Sequence, residues 1–331
     1  MIHADGNAAD DLAVQQLRSF CLVFEKQSYS SAAKELGLAV PTIWQQVRTL
    51  EKKRYATTLF TRHGRRIQPA PAAAVLYQSL RPLLAGLDST FELLREGEGK
   101  YPPTITVVTG ARMMLEDLGQ PLARFRAQYP SVCLRLLHRS AKEAEELVVA
   151  GEADLALTLE PAPNVTGQGV SIERAYPIEY LALFPKRHPL ARRSSLSLND
   201  LATHPLIVGH SGTYGRQLLE QALHREGLSG RVQIVAETDT SAFTVACVRA
   251  GMGIGIVAGR ATGFLSRDLA SCSLASQLGQ AWIAMLWKRG KHLTATVQTL
   301  MRLVRDQADK TSERARSTRF RRGRAAQNAR T

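Results

Sequence analysis

Residues 30–51 read SSAAKELGLAVPTIWQQVRTLE, and this stretch decides how the first part of the chain folds. Ser30 and Ser31 stand where they can cap a short helix through Ala32, Ala33 and Leu36. Gly37 supplies a residue able to turn at positive φ. Pro41 suits the first turn of the next helix, where a missing N–H does no harm. Just upstream, LAVQQLRSFCLVFEKQ (12–27) sets Leu17, Phe20, Val23 and Phe24 on one face of an amphipathic helix. Three helices with a tight turn between the second and third form a helix-turn-helix.

The second helix of that pair carries the chemistry. At about 100° per residue, Ile43, Val47 and Leu50 fall within roughly 60° of one another and form a core stripe. Pro41, Thr42, Gln45, Arg48, Thr49 and Lys52 lie on the opposite side, and Trp44 sits on the flank, about 90° from the stripe. An outward face of Thr, Gln, Arg and Lys can hydrogen-bond base edges and phosphates in a major groove, with Gln able to bridge adenine N6 and N7. A merely solvated polar face has the same periodicity. The next segment favours the nucleic-acid reading: LFTRHGRRIQP (59–69) has the pattern of a short hairpin centred on His63 and Gly64. Such a wing places Arg65 and Arg66 along a DNA backbone or in a minor groove.

Charge placement agrees. The formal net charge is +14, with 43 Lys+Arg against 29 Asp+Glu. Residues 12–70 hold ten basic and three acidic side chains, and residues 310–331 eight and one, leaving the middle nearly neutral. One end of the chain is therefore built to meet a polyanion while the middle does something else.

Residues 72–94 form a long helical pattern with Leu76, Leu80, Leu83, Leu87 and Leu94 near heptad spacing. That seam suits either a dimer contact or packing on its own domain, and Pro82 is expected to kink it or begin a second segment. REGEGKYPPT (95–104) reads as a linker. From Thr104 onward strand and helix patterns alternate in two series, joined by ERAYPIEYLALFP (173–185) and by the returning strand AWIAMLWKRG (281–290). Two βα series with crossing strands imply an α/β region of two parallel-sheet lobes with a cleft between them.

Other chemistries find little footing. Cys21, Cys133, Cys247 and Cys272 form no CxxC, and the histidines show no metal-binding spacing, so neither cofactor nor metal is expected. GMGIGIVAG carries G-x-G-x-x-A at Gly253, Gly255 and Ala258, but it follows a helix and opens a strand, the reverse of a dinucleotide-binding context. No membrane-spanning run or signal peptide is read, which points to a cytoplasmic protein. An enzyme or a simple small-molecule-binding protein on a two-lobed scaffold is the alternative, disfavoured by the basic N-terminal module.

Taken in order, QLRSFCLVFEKQSYSSAAKELGLAVPTIWQQVRTLE, LFTRHGRRIQ, PLARFRAQYP, AGEADLAL, HPLARRSSLSLNDLATHPLI, VRAGMGIGIV and LWKRGKHLT resemble the LysR-type transcriptional regulators over residues 12–309. The resemblance implies a winged helix-turn-helix (12–70), a dimerising linker helix and hinge (71–103) and a two-lobed, periplasmic-binding-protein-like effector domain (104–309). Residues 1–11 and the basic tail 310–331 are expected to be disordered. The implied protein is a ligand-responsive DNA-binding regulator without catalytic activity. Its partners are double-stranded DNA, a small-molecule effector and further copies of itself, as a homodimer or homotetramer.

The residues expected at DNA are Ser30, Val40, Pro41, Thr42, Trp44, Gln45, Arg48, Arg65 and Arg66, with a recognition helix over about 40–52. The chain departs from the family here: Ala39 replaces a usual capping Ser, Val40 a Gln and Trp44 a small Ser. Val40 can touch only apolar groups such as thymine methyls, and Trp44 either wedges against the sugar-phosphate backbone or packs inward beside the wing. In two-lobed folds a ligand sits between the lobes on helix N-termini and strand-end hydroxyls. The matching positions are Thr109, Gly110 and Arg112 in the first lobe and Ser211, Thr213 and Thr240 in the second, a set favouring an anion such as a carboxylate or oxyanion. Each hydroxyl also suits plain helix capping.

Overall fold

The computed structural model describes residues 13–63, 66–160 and 169–308. These divide into two compact units, one reaching to Gly97 and including Lys288–Leu293, the other comprising Glu98–Trp287 and the residues from Thr294 on. The terminal stretches 1–11 and 310–331 lie outside the described residues.

The first unit opens with α1 (Val14–Lys26), α2 (Tyr29–Leu36) and α3 (Val40–Thr49). Gly37 adopts φ 63° and its N–H reaches back to the carbonyls of α2, so the turn between α2 and α3 is a left-handed helix stop that glycine makes without strain. The cap at the start of α2 is Ser28, whose side chain accepts the Ser31 N–H at 3.2 Å. Ser30 and Ser31 lie inside the first turn, so the cap expected of them belongs two residues earlier. Phe20, Val23, Ile43, Val47 and Leu50 are fully buried together, with Leu17 and Phe24 packed against them. Strands β1 (Phe60–His63) and β2 (Arg66–Pro69) pair antiparallel, Phe60 opposite Pro69, and form the wing.

Helix α4 (Pro71–Gly97) runs unbroken through Pro82, which therefore starts no second segment. The leucine seam divides: Leu80 is buried and Leu76 packs beside it in the unit's own core, whereas Leu83, Leu87 and Leu94 are exposed together with Phe91. The segment 288–293 joins this unit through the His292 N–H, which donates to Ser89 Oγ at 2.9 Å, and through Lys291 Nζ, 3.2 Å from Glu92.

The second unit alternates strand and helix: β3 (Thr104–Thr109), α5 (Ala111–Met113), a π-helical turn (Met114–Leu118), α6 (Gly119–Gln128), β4 (Cys133–His138), α7 (Ala141–Ala150) and β5 (Leu155–Leu159). The sixteen-residue β6 (Val170–Pro185) follows. Then come α8 (Leu198–Ala202), β7 (Leu206–Gly209), α9 (Tyr214–Arg225), β8 (Ile234–Thr238), α10 (Ser241–Arg249) and β9 (Ile254–Gly259). The described residues end with β10 (Leu269–Ser273), α11 (Ala275–Leu278), β11 (Gln280–Lys288) and α12 (295–308).

The strands run in the order β4-β3-β5-β11-β6-β9-β7-β8, with β10 paired to β6. β3 is parallel to β4 and β5, and β7 is parallel to β8 and β9. β11 and β6 stand between these two parallel sets and carry the chain across, each antiparallel to the set it borders. Each side has its own core, Val108, Ala144, Val148 and Ala156 in one and Leu181, Ile207, Val245, Val248 and Val257 in the other. Gly255 lets α10 lie close on β9, since a Cβ there would come within 2.6 Å of Val248 Cγ2 and 2.8 Å of Thr244 Cγ2. That close approach is what the glycine-rich GMGIGIVAG stretch does structurally. Among the described residues, no helix is long and apolar enough to cross a membrane.

Candidate functional site

On α3 the sequence separates two faces cleanly. Ile43 and Val47 face the core, while Val40, Pro41, Thr42, Trp44 and Gln45 are exposed. The adjacent glutamines part ways: Gln45 points outward, but Gln46 Oε1 accepts the buried Ser19 hydroxyl at 2.5 Å and ties α3 to α1. Trp44 retains 44% of its surface, so it does not pack inward beside the wing. The guanidinium of Arg48, one turn on, lies 4.7 Å from the centre of its ring. Ala39 provides no side-chain cap at the start of α3.

Glu51, an acid in the basic run EKKR, accepts the N–H groups of Leu59 at 2.8 Å and Phe60 at 3.1 Å. It thereby fixes where the wing leaves the turn that follows α3, a role to which its place in a basic run gives no clue. Ser30 is exposed near the start of α2. Arg65 lies outside the described residues, as does the side chain of Arg66, whose backbone pairs with His63 across the wing.

In the second unit, β3 ends on Thr109, only 4% exposed, whose hydroxyl has no hydrogen-bond partner among the described residues. Gly110 then precedes α5 as an extended N-cap without a side-chain bond. Arg112 is buried in an ionic cluster whose members come from distant parts of the sequence. Its Nη1 lies 3.2 Å from Glu116 Oε2 and 3.0 Å from Asp117 Oδ2. Asp117 Oδ2 also accepts the Tyr176 hydroxyl of β6 at 2.7 Å. Arg260, directly after β9, brings Nη1 to 3.5 Å from Asp117 Oδ1 and lays its guanidinium 4.9 Å from the centre of the Tyr176 ring. Glu116 Oε1 accepts the Leu265 N–H at 2.9 Å. The cluster thus joins α5 and the turn after it, in the first lobe, to the β9–β10 connection of the second.

Burial alone would lower the pKa of Arg112, but Asp117, Tyr176 and Glu116 together raise it, so the guanidinium stays charged in its enclosed position. Burial, and then the charge of Asp117, push the Tyr176 hydroxyl far above its ordinary value and keep it a donor. Two guanidinium groups face two carboxylates, so the cluster carries no surplus formal charge. What Arg112 and Arg260 offer is directed donors: Nη2 of each is buried without a partner among the described residues.

The second-lobe candidates gather at the carboxyl ends of neighbouring strands, where the His210 N–H donates to the Thr238 carbonyl at 2.9 Å. Thr240 caps α10, accepting the Phe243 N–H at 3.3 Å. Thr213 occupies the N-cap of α9, but its hydroxyl donates to the His210 carbonyl at 3.0 Å instead of capping the helix. Ser211 is exposed. The structure therefore brings Thr109, Gly110 and Arg112 together on one lobe and Ser211, Thr213 and Thr240 on the other, and the cross-lobe bonds described above run through Arg112, Glu116, Asp117 and Arg260. Two signals for the missed residues were present. Glu116 stands four residues after Arg112, the spacing of a helical ion pair, and Arg260 directly follows a buried strand.

The family model for bacterial regulatory helix-turn-helix proteins of the lysR family matches residues 14–74, and the LysR substrate binding domain matches residues 101–309. The HTH-type transcriptional regulator CysB of Burkholderia cenocepacia is 26% identical over 83% of this chain and 87% of its own. CysB of Haemophilus influenzae is 29% identical over 78% and 79%. Among solved structures, the cofactor-binding domain of the Cbl transcriptional regulator aligns with TM-score 0.55 at 25% identity, covering 63% of this chain and 92% of that one. Full-length CbnR in complex with its target DNA aligns with TM-score 0.52 at 18% identity over 89% of this chain and 99% of that one, a likeness of fold. Helix-turn-helix, wing and two-lobed domain thus occur here in the order of a single family: the chain belongs to the LysR-type transcriptional regulators.

Proposed function

We propose that this ligand-responsive regulator binds duplex DNA by placing α3 in the major groove, where Val40, Pro41, Thr42, Trp44, Gln45 and Arg48 face the bases and phosphates. Ser30, exposed in the first turn of α2, belongs to the same contact, and Arg65 and Arg66 of the wing follow the backbone. The division into a 12–70 DNA-binding domain, a 71–103 linker helix and hinge, and a 104–309 effector domain belongs to the same proposal, as does a cytoplasmic location. No catalytic step is assigned. The protein works as a homodimer or homotetramer, for which the exposed half of α4, with Leu83, Leu87, Phe91 and Leu94, is a suitable seam.

The effector lies between the lobes, against Thr109, Gly110 and Arg112 on one side and Ser211, Thr213 and Thr240 on the other. The observation that carries this reading is the buried Thr109 hydroxyl, three residues before Arg112; it and Arg112 Nη2 both lack a hydrogen-bond partner among the described residues. An orphaned donor set costs stability until something accepts from it. Because Glu116 and Asp117 balance the guanidinium charges, the ligand is bound by directed hydrogen bonds to a carboxylate or oxyanion, and long-range attraction contributes little. Binding shifts the population of lobe arrangements across the Arg112–Asp117–Arg260 connection, and the shift changes how paired copies present α3 to DNA.

Thermal-shift and calorimetric titrations with small carboxylates and with sulfate, on wild type and on the Thr109→Val, Ser211→Ala double variant, test the site. Binding by the wild type that the double variant lacks, with DNA affinity retained, supports it. A ligand response unchanged in the double variant overturns the placement.

A further inference from the structure

The exposed surface of α3 is itself divided lengthwise. Val40, Trp44 and Arg48 recur every fourth residue and so form a single stripe, since four residues return to nearly the same face of a helix. Val40 is 41% and Trp44 44% exposed. Pro41 adjoins them and is also exposed. Thr42, Gln45 and Thr49 lie on the other flank and hold the hydrogen-bonding groups. Of these, Thr49 already donates its hydroxyl to the Gln45 carbonyl at 2.9 Å, which leaves the side chains of Thr42 and Gln45 without a hydrogen bond among the described residues. The guanidinium of Arg48 lies 4.7 Å from the indole ring centre and biases the ring toward this orientation.

An isopropyl group and an indole side by side on a DNA-reading helix need an apolar surface to cover them. The major groove offers one such group, the C5 methyl of thymine. We propose that the Val40/Trp44 stripe is a pyrimidine-methyl reader: it selects operators by thymine methyl groups, while Thr42 and Gln45 read donors and acceptors on the adjoining base pairs. Arg48 is a positioning residue that holds the indole edge-on to the groove floor. This rests on α3 being the helix that enters the major groove.

The test replaces thymine by deoxyuridine, which deletes the 5-methyl group and leaves every hydrogen-bonding atom of the base in place. Full-length protein first selects its preferred duplex from its own upstream DNA and from a random library. Each thymine of the protected half-site is then exchanged singly, and affinity is read by fluorescence anisotropy at fixed salt. We expect one or two positions per half-site at which the exchange weakens binding about fourfold, the worth of one buried methyl group. Where thymine is exchanged for cytosine at such a position, 5-methylation of that cytosine should restore part of the lost affinity.

Val40→Ser with Trp44→Ser should bind thymine and uracil duplexes equally, whereas Gln45→Ala should weaken binding yet keep the uracil penalty. Arg48→Lys, which keeps the charge without the planar stacking group, should reduce the uracil penalty. Selective binding that no uracil exchange disturbs overturns the inference and leaves the α3 reading standing, with Trp44 then lying on sugar and phosphate. Absence of any selected duplex overturns both.

Discussion

Asp117→Ala isolates the ionic cluster that joins the two lobes. The variant removes one of two carboxylates from the buried guanidinium of Arg112, 3.0 Å away, and takes the acceptor from the Tyr176 hydroxyl at 2.7 Å. Leaving a buried charge under-compensated costs about 3–5 kcal/mol, and an orphaned buried hydroxyl contributes about 1–3 kcal/mol of that. Because Glu116 still holds Arg112, the lower end applies, and we expect a loss of about 3 kcal/mol. Arg260 sits farther off, 3.5 Å from Asp117, and is less enclosed, so Arg260→Ala should cost only about 1 kcal/mol.

Urea unfolding followed by tryptophan fluorescence in a Trp44→Phe background reads the second unit alone, through Trp282 and Trp287. Equal m-values are required for the comparison. The double variant Arg112→Ala, Asp117→Ala should lose about 1–3 kcal/mol less than the sum of the single losses, as expected for residues in direct contact. A loss below about 1 kcal/mol for Asp117→Ala, or strict additivity in the cycle, refutes the reasoning that this cluster is a coupled, buried unit.

Three further outcomes follow from the same geometry. Ser28→Ala should cost the first unit about 1 kcal/mol by uncapping α2, and Ser30→Ala far less, measured by thermal melts of the two variants side by side. Gly255→Ala should destabilise the second unit by about 1–3 kcal/mol, because its Cβ would press on Val248 and Thr244 of α10; a neutral result would show that α10 moves aside freely. Burial, and then His204, hold the pKa of His188 below its ordinary 6.5, and its Nδ1 accepts the Leu190 N–H at 3.2 Å in the neutral form. The unfolded chain therefore binds a proton that the folded one refuses. This contribution is complete above about pH 6.5 and is lost as the pH falls below that value. His188→Asn should flatten the decline in stability between pH 7 and pH 5.

The sequence disclosed those features that depend on near neighbours. The period of Phe20 and Val23, and of Ile43, Val47 and Leu50, sufficed to place the core of the first unit, since burial of one helix face leaves a repeating mark. Gly37 announced its turn because few other residues take φ 63° without strain. The alternation of strand and helix from Thr104 gave the two lobes, although β10 passed unseen in a stretch without clear alternation.

What escaped notice was set by distance or by geometry that pattern does not encode. Ser28, Ser30 and Ser31 are chemically equal caps, and only the backbone at Ser28 selects among them. Trp44 sits on the flank of its helix, where a periodic reading cannot tell packing from exposure. The ionic cluster unites Asp117 with Tyr176, 59 residues on, and Glu116 with Leu265, 149 residues on, contacts that only the folded sheet order creates. The same cluster pairs Arg112 with Glu116 and Asp117, partners that its place after the first strand did not disclose.

The account stands or falls on whether α3 reads a sequence. Fluorescence anisotropy of the full-length protein on its own upstream intergenic DNA and on scrambled DNA, across a salt series, measures this directly. The account predicts selective binding that Gln45→Ala weakens far more on the upstream DNA than on the scrambled duplex. Binding that depends steeply on salt, equals that to scrambled DNA and ignores Gln45 would contradict it.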